Sequence, residues 1–107
     1  MNNHPKYTGT ERRVHKIYVT LNTEYHVRGG VCVAVKSRKG PEWNCSHSAL
    51  RMRIEGHVQQ GTMLPTAGTP KIGSRIYFTR DLNDVLTSAV VAIVRPAKKI
   101  VEQYPSA

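Results

Sequence analysis

Acidic residues are scarce in this chain of 107 amino acids: seven Asp and Glu against sixteen Lys and Arg, a formal net charge of +9. The seven are scattered singly, which leaves no paired carboxylates for general acid and base work and no oxygen-rich cage for a hard cation. Cysteine is nearly as rare. Cys32 and Cys45 could form one disulfide at most, so the fold does not depend on disulfide staples. Large aromatics are few, with one Trp, one Phe and five Tyr. Long apolar runs are missing as well. The longest, Ala89-Val90-Val91-Ala92-Ile93-Val94, is far short of the roughly 20 residues a membrane-crossing helix needs. Met1-Asn2-Asn3-His4-Pro5 is polar and precedes no apolar stretch, so no secretory leader is expected and a cytoplasmic location is.

What remains is basic charge set against short apolar runs with a period of two. Leu50-Arg51-Met52-Arg53-Ile54 and Arg75-Ile76-Tyr77-Phe78-Thr79-Arg80 alternate polar and apolar residues. In a strand this places Leu50, Met52, Ile54, Ile76 and Phe78 on a core face and Arg51, Arg53, Arg75, Tyr77 and Arg80 on the other. Ile17, Val19 and Leu21 alternate with Lys16, Tyr18 and Thr20 in the same manner. Strands are predicted over residues 14–21, 24–28, 31–36, 49–58, 74–80 and 85–95. Gly29-Gly30 suits a hairpin turn, the fourth strand can bend at Gly56, and residues 81–84 form a turn. Residues 60–73, with three glycines and two prolines, form the longest loop.

These elements predict an all-β fold: a small single-domain β-barrel of about six antiparallel strands with a short C-terminal helix or tail. A basic lead (1–12) would precede the barrel (13–95), and the helix or tail would occupy 96–107.

Chemistry on specific residues is harder to find. Cys45 and His47 are two apart, but structural zinc sites repeat such a pair twice, and no metal or other cofactor is expected. Neither Cys45 nor Ser46 beside His47 makes a convincing nucleophile and base, because such partners meet in space rather than along the chain. Gly29-Gly30 lacks the Lys-Ser/Thr of a phosphate-binding loop. A non-enzymatic reading follows. The strongest candidate site is the basic face: Arg12, Arg13, Lys16, Arg51, Arg53 and Arg75 for phosphate, with Tyr18 and Tyr77 as stacking planes. Its expected partner is anionic, nucleic acid first. A protein partner remains open, with the chain as a structural subunit of a larger assembly.

Two segments resemble the PilZ family of small β-barrels. Glu11-Arg12-Arg13-Val14-His15-Lys16-Ile17 is similar to that family's RxxxR lead, with Lys16 at the second arginine position. Asn44-Cys45-Ser46-His47-Ser48-Ala49 is similar to its (D/N)xSxxG turn, with Ala49 at the glycine position. The resemblance spans roughly residues 11–95. It implies a six-stranded barrel that binds the cyclic dinucleotide cyclic di-GMP through Arg12, Lys16, Asn44 and Ser46, or a degenerate relative that contacts protein.

Overall fold

A computed structural model describes residues 15–105. Arg12 and Arg13 lie outside the described residues. The fold is all-β, a single small domain whose described residues form seven strands and one short helix: β1 (His15–Val19), β2 (Thr23–Arg28), β3 (Val31–Ser37), β4 (Arg53–Val58), β5 (Arg75–Arg80), β6 (Asn83–Ala89), β7 (Ala92–Val94) and α1 (Lys98–Val101). All pair antiparallel in one sheet of order β6-β5-β4-β3-β2-β1-β7.

The all-β, antiparallel single domain is as the sequence predicts; the described sheet has seven strands where about six were expected, and it is not a closed barrel. The predicted strand over 85–95 divides into β6 and β7, which lie at opposite ends of the strand order. The division falls at Val90-Val91, where the chain changes partners. Val90 N donates to Ser74 O and Gly73 N to Val90 O, both at 2.8 Å, and Val91 N donates to Val19 O at 2.7 Å. The ends of the sheet are thus joined by the covalent chain rather than by a ladder between β6 and β7. This curl wraps the sheet around its core.

The core is Tyr18, Tyr25, Val27, Cys32, Val35, Ala49, Met52, Ile76, Phe78 and Val90. Strand register explains its membership, because directly opposed residues share a face. Tyr18 opposes Tyr25, which opposes Val35, and all three point inward. Tyr18 is 2 % exposed. Its expected role as an outward stacking plane is corrected: its ring belongs to the core. Alternation failed at β1 because both faces are covered. Ile17, on the opposite face, opposes His26, which opposes Ala34, and this second row is buried too.

The predicted fourth strand is also shortened. Residues 48–51 form a turn in which Arg51 takes φ 70°, and β4 begins at Arg53. A buried Gly56 sits beside a register shift in β4, and a Cβ there would collide with the Thr66 carbonyl. This close approach lets the long loop after β4 pair with it: His57 N donates to Thr66 O at 2.9 Å and Thr66 N to His57 O at 2.7 Å. No helix among the described residues is long and apolar enough to cross a membrane.

Candidate anion-binding site

β5 keeps strict alternation, with Ile76 and Phe78 buried and Arg75, Tyr77 and Thr79 on the outer face. Arg53 opposes Thr79 and shares that face. The structure thus places Arg53, Arg75 and Tyr77 together, as the period of two predicts. Arg51 follows from the turn, its N donating to Cys32 O at 2.7 Å. Arg51, Arg53 and Arg75 are all exposed. Among the described residues none of them has a carboxylate within ion-pair distance. Arg75 is anchored by Nε, which donates to Thr87 O at 2.7 Å.

The face is not uniformly basic. Glu55 and Asp84 stand on it as well, held by hydroxyls rather than by arginines: Thr79 Oγ1 donates to Glu55 at 3.1 Å, and Tyr77 OH to Asp84 at 3.0 Å. The second bond holds the Tyr77 hydroxyl above its ordinary value, because ionising it would put two negative charges together. The ring is half-buried and tethered. Arg28, which pattern reading did not single out, joins Arg53 in one cross-strand row, because Arg28 and Arg53 both oppose Val31.

Behind Arg51 lies a cleft of about 460 Å³ lined by Asn44, Cys45, Ser46, His47, Leu50, Arg51 and Tyr104, among others. Asn44 shapes its rim: Oδ1 accepts from Ser46 N at 3.0 Å and from Ser46 Oγ at 3.2 Å. His47 Nδ1 accepts from Ala49 N at 3.0 Å, which leaves its proton on Nε2. Partial burial holds that imidazole below its ordinary value. Ala49, at the position of the family's glycine, carries no positive φ; the left-handed residue is Arg51, and the Ala49 methyl fills the core.

Lys16 does not join this cleft. It points to the inner side with Tyr18 and lines a separate cleft of about 350 Å³ with Gly29, Gly30, Glu55 and Thr69. Of the four residues that the resemblance implies for a dinucleotide, Asn44 and Ser46 meet, Lys16 is elsewhere, and Arg12 lies outside the described residues. Cys32 is buried, its thiol pushed up to about 12 by loss of solvent, while Cys45 is exposed. Among the described residues no group of three or more His, Cys, Asp or Glu could hold a metal ion.

One buried side-chain cluster has no local signature in the sequence. His26 projects from the outer face of β2, yet is only 1 % exposed. Trp43 and Tyr104 cover it, with ring centroids 5.0 and 5.1 Å from the imidazole and 5.4 Å from each other, all edge-on. The Lys36 ammonium lies 5.3 Å from the centre of the Trp43 ring. The three aromatic residues are far apart in sequence, so no local pattern links them.

No protein-family model, curated protein or solved structure matches this chain.

Proposed function

We propose that this protein is a non-enzymatic binding module that docks a phosphate-bearing partner, nucleic acid in the first reading. The observation that carries it is the exposed trio Arg51, Arg53 and Arg75, on and beside one sheet face and with no carboxylate partner among the described residues. Guanidinium forks of this kind bind phosphate oxygens bidentately, and the net charge of +9 draws polyanions to the surface. Burial of Tyr18 leaves Tyr77 as the one aromatic of the expected set on this face, which favours backbone contacts over base stacking.

Fluorescence anisotropy with a labelled single-stranded oligonucleotide tests the reading. Affinity should fall steeply with salt, with a logarithmic slope of about 0.7 per neutralised phosphate. Arg51→Ala with Arg53→Ala should weaken binding about tenfold or more, since a hydrogen bond to a charged group contributes about 1.5–3 kcal/mol. Binding that ignores both salt and the double variant overturns it.

A second reading, a regulatory domain that binds cyclic di-GMP, is favoured by one observation: Asn44, Ser46 and Arg51 line a single cleft. It predicts saturable heat of binding with cyclic di-GMP that Ser46→Ala and Arg51→Ala both reduce. Absence of that heat removes it.

A further inference from the structure

The cleft behind Arg51 is lined by β3, by the loop between β3 and β4, and by a third wall from far along the chain. Tyr104 and Pro105 supply it, from the segment that follows α1. Ile100, Val101, Tyr104 and Pro105 are half-buried, and no residue of the segment is fully buried. α1 has four residues, no side-chain cap and no buried residue. Its fastening is Tyr104, whose hydroxyl lies 2.8 Å from His26 Nδ1.

The chemistry of that contact is set on the far side of the ring. His26 Nε2 lies 3.1 Å from Glu24 Oε1, and an ionised carboxylate can only accept, so Nε2 carries the proton. Nδ1 is then a lone pair, and the Tyr104 hydroxyl donates to it. A proton arriving at Nδ1 turns it from acceptor to donor, so the Tyr104 hydroxyl must rotate to accept, and what works against the closed state is the buried charge. That proton places a cation in a site closed by Trp43 and Tyr104, with the Lys36 ammonium nearby and, among the described residues, Glu24 as the opposing charge. The rings must part for water to reach it.

We infer that residues 98–105 form a proton-sensitive cover over the Asn44–Arg51 cleft, latched by Tyr104 on His26 when His26 is neutral and released when it is protonated. Burial, the leading influence on His26, holds its pKa below the ordinary 6.5, so the latch stays shut at neutral pH and opens on acidification. That the covered cleft receives the phosphate ligand rests on the function proposed above; the cover itself does not.

Trp43 is the only tryptophan of the chain and touches both halves of the latch, so its emission reports the cover directly. In the full chain, Trp43 emission should change in one acid transition with a midpoint below 6.5. Tyr104→Phe should show the acid-like emission already at neutral pH, and the chain ended after Gln103 should match it. His26→Gln, which cannot titrate, should erase the transition, while His47→Gln should leave it in place. Emission and midpoint unchanged in Tyr104→Phe and in the shortened chain overturn the cover. Ligand binding is read separately, by anisotropy of the labelled oligonucleotide and of labelled cyclic di-GMP. A working latch that leaves both affinities unchanged supports the cover and overturns the assignment of the cleft as the ligand site.

Discussion

At the scale of single residues, burial separates structural from functional candidates more sharply than residue type does. Tyr18 and Tyr77 look alike in the sequence, each flanked by apolar neighbours on a predicted strand. Register sends Tyr18 into the core against Tyr25, whereas Tyr77 stays on the outer face with Asp84. Tyr18→Ala should therefore act through stability, costing about 3–5 kcal/mol in urea unfolding, as truncation of a buried aromatic does. A stacking residue would instead cost affinity with little change in the unfolding midpoint. The buried imidazoles make a further prediction. His26 and His47 are both held below the ordinary 6.5 by burial, so each stays neutral in the fold where the unfolded chain would take up a proton. Their contribution is complete above 6.5 and is lost as pH falls through the lower folded values. Thermal melting between pH 7.5 and 5 should show the midpoint falling, and His26→Gln should flatten that fall.

At the scale of elements, strands whose faces differ in character were legible and those buried on both sides were not. β2, β3 and β5 lie within a residue of their predicted bounds, because Gly29-Gly30 and the turn at Asp81 punctuate them. Arg53, Arg75 and Tyr77 could be placed on one face because β5 alternates without interruption. β1 misled because Ile17 and Tyr18 are both buried, so its period of two carries no phase. The division of the last predicted strand was hidden for a related reason: an apolar run such as Ala89–Val94 looks the same whether it has one neighbour or exchanges one for another. The Asn44–Ser46 turn was recognisable from its residue types, but the wall that Tyr104 adds comes from a contact across 78 positions of sequence. Gly56 tests how firmly the long loop is tied to β4. Gly56→Ala drives a methyl into the Thr66 carbonyl, and overpacking of this sort costs about 1–3 kcal/mol. Hydrogen exchange should show the amides of His57 and Thr66 losing protection together, while those of β2 and β3 keep theirs. Uniform loss across the sheet would mean that the loop is integral to the fold rather than docked on it.

At the scale of the whole molecule, charge and fold pull against each other. Sixteen basic and seven acidic side chains share a chain of 107 residues, and Glu55 and Asp84 beside the arginines are engaged by Thr79 and Tyr77 rather than by arginines. A net charge this far from zero destabilises the compact state by self-repulsion, while the same charge raises the rate and strength of association with a polyanion. Salt acts on both. The screening length shortens from about 10 Å at 0.1 M to about 3 Å at 1 M, which weakens repulsion between exposed arginines and attraction to phosphates alike. Raising sodium chloride should therefore raise the melting temperature of the free protein and lower its affinity for an oligonucleotide, two effects of opposite sign from one cause. Arg51→Ala with Arg53→Ala should reduce both: less stabilisation by salt, because fewer like charges remain to screen, and a shallower salt slope of binding, because fewer phosphates are neutralised. Melting curves and anisotropy titrations on the same samples check this. A melting temperature that falls with salt would show that the arginines engage acidic partners in the fold, and would leave them no charge to offer a ligand.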